Sequence, residues 1–474
     1  MPIRRLYLGI LFLFFCLNPG SIFSFDSAVP PLEAKPLPQF KTPEIKTHVF
    51  SNGLRLYFLP NDDLPLFQAN AMIQFSSLDE SREKRGLVQM LMSAMETGGT
   101  KKQSGDEIDK ILEYRAASID AQHSHEWCSL SAKSLSKDHP LILQLLFDMM
   151  TQPAFEENKV ELVRKRMLDS ITRRNEDPGN IADREFAQSM YGESSPLARL
   201  FNQETVKNLS RENLFSFLDA NLDPARVWIA VSGDVSWEKL VALVEKLNEN
   251  FVSRKILRPS RDPVLKEWRP GVEFVSKETN QASIIVGHFG EKRFNPDKYA
   301  LMLANYVLGG TTFGSRLGDT IRTKLGLAYA INSNFGFETD YGLFKMKAQT
   351  KSASTATVIG EMKHILGEMI LDYPVTQAEL DEAKKAILNN LIFQYSDPFE
   401  IVMARMHYDY YGYPPDYFEV FQREIARVTV DEVNAVLKKY FYPDKLKILV
   451  VGDKKAVGNL SEFGPVVDRP LDNQ

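Results

Sequence analysis

The chain has 474 residues, 44% of them hydrophobic and 25% charged, with a formal net charge of −5. That composition is ordinary for a soluble globular protein, and the length suits two to four domains. The mild acidity gives no support to a nucleic-acid partner, which usually needs a basic face, and none is expected.

The first residues read as a targeting segment. Arg4 and Arg5 precede the apolar run Leu6–Leu17, which is too short to span a bilayer comfortably and suits the hydrophobic region of a signal peptide. Small residues at Gly20, Ser21 and Ser24 fit cleavage near Ser24, so residues 1–24 are read as a signal peptide. The expected location is exported, periplasmic or extracellular. A retained anchor, which would make the chain membrane-associated, is the alternative. Cys16 stands in the position of a lipid-attachment cysteine, but Phe14 and Phe15 before it are bulkier than such a site normally accepts. Removal of the signal leaves Cys128 as the one remaining cysteine, which excludes an intramolecular disulfide and a thiolate metal cluster. Residues 25–45 are Pro-rich and read as an extended tether.

Beyond the tether, residues 47–61 alternate like strands around Asn52-Gly53, a hairpin signal. A strand is expected at Ala71–Phe75, then an amphipathic helix at 86–97 closed by Gly98-Gly99. Strand-like alternation at 117–132 leads to helices at 138–150 and 156–175. The half closes at 225–247 with an apolar strand, a Gly-Asp turn and a helix. Residues 254–270 carry three prolines and read as a linker.

The order then repeats. A strand is expected at Ala282–His288, a helix at 296–308, strands at Leu325–Asn334 and Tyr341–Thr350, and helices at 353–371, 376–394 and 398–411. The close, LKILVVGDK, echoes VWIAVSGDV in the first half. Strands and helices come in groups, which favours two α+β domains, 46–253 and 271–463, with a tail at 464–474. In LGGTTFGSRL (308–317) the glycines follow a helix and no lysine is present. The reading is a helix stop at Gly309-Gly310 and a new start near Thr312, rather than a phosphate cradle.

Zinc-site spacing is missing. None of the seven histidines forms a His-Glu-x-x-His or His-x-x-Glu-His pattern. The nearest cluster is His123-Ser124-His125-Glu126, where alternation on a strand would place both imidazoles on one face. It is read as a polar strand face, with a metal site as the weaker alternative. Arg322 and Tyr329 offer hydrogen-bond donors that could hold a peptide carbonyl. An Arg capping a helix and a Tyr in a core is the plainer reading of the same two residues.

Nearly the whole exported part, from about Thr47 to Phe463, resembles the pitrilysin/insulinase family of zinc peptidases, in its short two-domain branch with the mitochondrial processing peptidase subunits. The matching stretches are GLVQMLMSAMETGGTKKQS, QPAFEENKVELVRKRMLDSITRRNEDP, YGESSPLARLFNQETVKNLSRENLFSFL and SRLGDTIRTKLGLAYAI. The resemblance implies two homologous domains, each a mainly antiparallel sheet packed with helices, forming half of a clam-shell. It places Gln89 at the first zinc ligand, Met92 at the general base, Ser93 at the second ligand and Ser170 at the third. All four are replaced, and the nearby carboxylates Glu161 and Asp169 without imidazole would hold zinc poorly. Arg322 and Tyr329 match the family's substrate-binding pair in spacing and setting.

The resemblance therefore implies a chain with no metal of its own. It would be the substrate-binding subunit of a heterodimeric zinc metallopeptidase acting on unfolded peptides, with zinc and base supplied by a partner of the same family. The alternatives are a non-hydrolytic peptide-binding or scaffold protein and, less favoured, an active zinc peptidase that uses His123 and His125.

Overall fold

The computed structural model describes residues 41–256 and 261–471. The signal peptide, Cys16, the Ser24 cleavage position and most of the tether lie outside them. The first half runs β1 (Lys46–Val49), β2 (Arg55–Pro60), β3 (Leu66–Ile73), α1 (Leu87–Thr97), α2 (Gly105–Tyr114), β4 (Ser118–His123), β5 (Cys128–Leu135), α3 (His139–Thr151), α4 (Glu157–Arg173), α5 (Pro178–Tyr191), α6 (Gln203–Asn208), α7 (Arg211–Asn221), β6 (Val227–Gly233) and α8 (Trp237–Asn248). The second runs β7 (Gly271–Ser276), β8 (Gln281–Phe289), β9 (Glu291–Lys292), α9 (Lys298–Asn305), β10 (Ala328–Phe335), β11 (Phe337–Glu338), β12 (Leu343–Lys351), α10 (Thr355–Ile370), α11 (Gln377–Gln394), α12 (Pro398–Tyr411), α13 (Tyr417–Arg427), α14 (Val430–Tyr440), β13 (Lys447–Gly452) and β14 (Val466–Arg469).

Local chemistry explains several boundaries. The expected hairpin forms, with β1 antiparallel to β2. Its Gly53 has φ +93, and a Cβ there would meet the Ala225 Cβ at 2.7 Å. Helix α2 was not anticipated, although Ser104 and Glu107 form a reciprocal capping box, a legible start signal. Strand β3 begins five residues before the expected Ala71, because its first part is covered by both β5 and β6. After Gly310 the helix does not restart at Thr312. Residues 311–315 form a bent loop, and wide-turned π-helical backbone spans Gly318–Lys324. Such widened turns are frequent at functional sites. The expected tail at 464–474 holds β14, which adds to the second sheet beside β7.

The fold is α+β, with two six-stranded mixed sheets. The first has the order β1-β2-β6-β3-β5-β4 and the second β10-β12-β8-β13-β7-β14. From β2 to β4 and from β7 to β10 the neighbours match one for one: a parallel pair, β2/β6 or β7/β13, followed by three antiparallel pairs. The short sequence echo therefore marks a duplicated topology. The halves differ at the outer strand, where β1 is antiparallel and β14 parallel.

Each sheet packs its own helices on one face, giving one core around Phe58, Phe67, Leu91 and Phe147 and another around Phe344, Met362 and Leu437. The opposite faces are covered reciprocally. Helix α5 of the first half packs Ile181, Phe186 and Met190 against Ile285, Leu449 and Val451 of the second sheet. Helix α12 of the second half packs Ile401, Val402 and Met406 against Tyr57, Met72 and Trp228 of the first. Both helices start Asp-Pro with the Asp side chain as N-cap. Each such large apolar side chain contributes about 1.5–3 kcal/mol on burial, so this exchange binds the halves firmly. No helix among the described residues is long and apolar enough to cross a membrane.

Candidate functional site

Helix α1 lies between the first sheet and α4. Its buried face comprises Leu87, Val88, Met90, Leu91, Met92, Ala94 and Met95. Met92, which the resemblance aligns with the general base, is 1% exposed and belongs to the first core. Gln89 and Ser93 are half-buried, and Ser170 is exposed on α4. The Ser170 hydroxyl donates to the Met167 carbonyl at 2.7 Å. Glu161 is engaged by Arg164 Nε at 3.0 and 3.2 Å. The one acid on α1, Glu96, accepts the Ala121 N–H at 3.0 Å, and burial raises its pKa. An amide, a buried thioether and two hydroxyls do not make a zinc donor set, so these residues do not fit the metal. Among the described residues, no group of three or more His, Cys, Asp or Glu side chains could hold a metal ion.

The start of α1 carries a buried carboxylate that sequence reasoning missed. Glu80 accepts the Leu87 N–H at 2.8 Å, and Gly86, at φ +88, precedes the helix. Burial pushes the Glu80 carboxyl up to about 7, against the backbone N–H groups of Leu87, Gly86 and Val88 and the charge of Arg199. A negative side chain at a helix N-terminus is favourable in charge and costly in solvation. Nothing local in the sequence marks it, because the burial comes from packing by distant elements.

Arg322 sits in the widened helical turn, and Tyr329 is the second residue of edge strand β10. The Leu327 N–H donates to the Ile321 carbonyl at 2.9 Å, which ties the approach to β10 back to the widened helical turn. Tyr329 is 74% exposed. Arg322 is half-buried, with its guanidinium carbon 4.6 Å from the centre of the Phe313 ring. The plainer expectation of a core tyrosine does not hold for Tyr329.

The His123–Glu126 stretch has a different place. His123 ends β4, and His125 lies in the turn to β5 with Nδ1 3.1 Å from the Ser77 hydroxyl. Both histidines remain exposed, and partial desolvation by neighbouring atoms lowers the pKa of each imidazole. Among the described residues, the two histidines gain no third ligand. Glu126 faces a cleft of about 1220 Å³ between the halves, lined also by Trp127, Trp228, Arg293, Tyr410 and Tyr411. Both Glu126 carboxylate oxygens accept from Arg293 Nη2 at 3.0 Å. The hydroxyls of Thr339 and Tyr411 donate to the same carboxylate. Burial works against the Glu126 charge, but these two hydrogen bonds and the Arg293 charge outweigh it and hold the carboxyl below its ordinary range. The cluster is thus an ionic latch between halves. Its partners lie 167 to 285 residues away in sequence, beyond the reach of any local pattern. Neither the α1 positions nor Arg322 and Tyr329 line this cleft.

Known proteins share this architecture. Residues 68–200 match the family model described as insulinase (peptidase family M16), and residues 208–387 match the one described as peptidase M16 inactive domain. An uncharacterized zinc protease of Streptomyces coelicolor is 26% identical over 383 residues, 78% of this chain and 79% of that protein. The non-peptidase homolog YmxG of Helicobacter pylori is 26% identical over 392 residues, 79% of this chain and 86% of that protein. The crystal structure of a peptidase M16 inactive domain from Pseudomonas fluorescens superposes with TM-score 0.75 at 23% identity, covering 90% of this chain and all of that one. A protease from Helicobacter pylori gives TM-score 0.78 at 18% identity, covering 87% of this chain and all of that one. With both halves matched by the family's models, and its two-domain fold shared, this chain belongs to the insulinase family, peptidase family M16.

Proposed function

We propose that this chain is a peptide-binding, non-hydrolytic subunit that holds an unfolded peptide with Arg322 and Tyr329 and works with a zinc-bearing partner of the same family. The observation that carries the reading is Met92: the position of the general base is occupied by a side chain buried in the core. The relative named a non-peptidase homolog and the inactive-domain model over 208–387 support it. The exported location and the heterodimer belong to the same proposal.

In this reading Arg322 orients the peptide backbone with its planar fork of donors, and Tyr329 donates to the carbonyl oxygen as charge develops there. Metal and base are the partner's. The experiment is reconstitution of the purified chain with a zinc-bearing family member encoded by the same genome. The chain alone is expected to hold no stoichiometric zinc and to cleave nothing, and Tyr329→Phe is expected to lower the pair's turnover without changing its zinc content. Stoichiometric zinc in the isolated chain, lost with activity on His123→Ala or His125→Ala, overturns the reading.

A further inference from the structure

Phe313 is a large aromatic side chain 66% exposed on the bent loop 311–315, and it belongs to none of the hydrophobic cores. Its notable contact is the guanidinium of Arg322, 4.6 Å from the ring centre. The loop that presents it is tied down. The Ser315 hydroxyl donates to the Thr311 carbonyl at 2.6 Å, and the Gly314 N–H donates to Asp319 Oδ1 at 3.0 Å. The Gly318 N–H in turn donates to the Ser315 hydroxyl at 3.3 Å. Gly314 has φ +78, which an L side chain rarely adopts. Ring and guanidinium are therefore held from two separate segments.

We infer that Phe313 is a positioning residue for Arg322, fixing the guanidinium so that its N–H groups are ready for a peptide carbonyl. The physical reason is directional. A cation–π contact draws the positive guanidinium to the negative face of the ring and does not need any of its five N–H donors to be spent on a hydrogen-bond acceptor. The contact thus restrains a long, rotamer-rich side chain while its donors stay open to an acceptor. Ordering it before peptide arrives removes an entropic cost from binding. The inference rests on the reading of Arg322 as a peptide-binding residue, and it adds the residue that prepares it.

The test uses the full mature chain and fluorescein-labelled casein as an unstructured probe, with binding read by anisotropy. Phe313→Leu keeps an apolar side chain and removes the ring face. It is expected to weaken binding about two- to five-fold, the range of an exposed cation–π contact. Phe313→Tyr and Phe313→Trp restore the ring and are expected to bind as the parent does. In an Arg322→Ala background, Phe313→Leu is expected to have no further effect. Thermal midpoints are expected to stay level across the Phe313 set, since the side chain is exposed. If Arg322→Ala leaves binding intact, the parent reading of Arg322 fails. If Arg322→Ala weakens binding but Phe313→Leu does not, the positioning role fails. An equal loss from Phe313→Leu with and without Arg322 also overturns it, because Phe313 then acts on the peptide directly.

Discussion

Helix α1 in the first half and the segment 313–329 in the second differ in what they show to solvent. On α1 the position expected of a base is a methionine packed in the core, beside half-buried Gln89 and Ser93. In the second region Phe313 and Tyr329 stay 66% and 74% exposed, against the ordinary tendency to bury such rings. One region has joined the core, and the other keeps a cation and two aromatic groups at the surface. The contrast shows that burial, and not residue identity alone, separates a region given over to packing from one left open to solvent.

The comparison breaks most directly at Met92. Met92→Glu places an unpaired carboxylate in the first core and is expected to cost about 3–5 kcal/mol, read as a lower denaturant midpoint. A neutral outcome would mean that α1 still has room for a catalytic acid. On the other side, Tyr329→Phe in the reconstituted pair is expected to lower turnover by about two to three orders of magnitude with an unchanged melting temperature. Full activity would make the two regions equivalent after all.

Smaller effects sharpen the picture. Glu126→Ala leaves the half-buried Arg293 with the longer Glu338 contact, at 3.6 Å, in place of its 3.0 Å pair, and is expected to cost about 1–3 kcal/mol, measured by chemical unfolding. An unchanged midpoint would show that the helix exchange alone joins the halves. For Glu80 the sign follows from its raised pKa. The native state keeps this proton to about pH 7, whereas an unfolded carboxyl releases it near its ordinary value. Between those values the native state binds more protons, so this group's contribution to stability falls as pH rises. Glu80→Gln is expected to remove roughly 1–2 kcal/mol of that decline between pH 5 and 7, with superimposable slopes as the contrary result.

Much of the fold was legible. Period-2 alternation marked the stretch holding β4 and most of β5, an apolar run marked β6, apolar residues at helical spacing marked α1 and α9, and the Gly-Asp echo marked the duplication. Elements missed, such as α2, α5 and α7, begin with Ser or Asp caps that a closer search for start signals would have found. Strand β14 has only four residues and takes its stability from a neighbour almost two hundred residues earlier, so no local pattern betrays it.

For the candidate site, the sequence by itself determined which donors exist. Gln89, Met92, Ser93 and Ser170 are poor zinc ligands in any conformation, because ligand chemistry belongs to the side chain and not to its surroundings. It also set the seven-residue spacing of Arg322 and Tyr329. Tertiary structure alone decided the rest: that Met92 is core, that Glu80 is pushed up to about 7, that Glu126 latches two halves and that the Arg322 guanidinium lies over the Phe313 ring. Burial and pairing depend on groups brought together from distant parts of the chain, and solvation energies are set only once those groups have met.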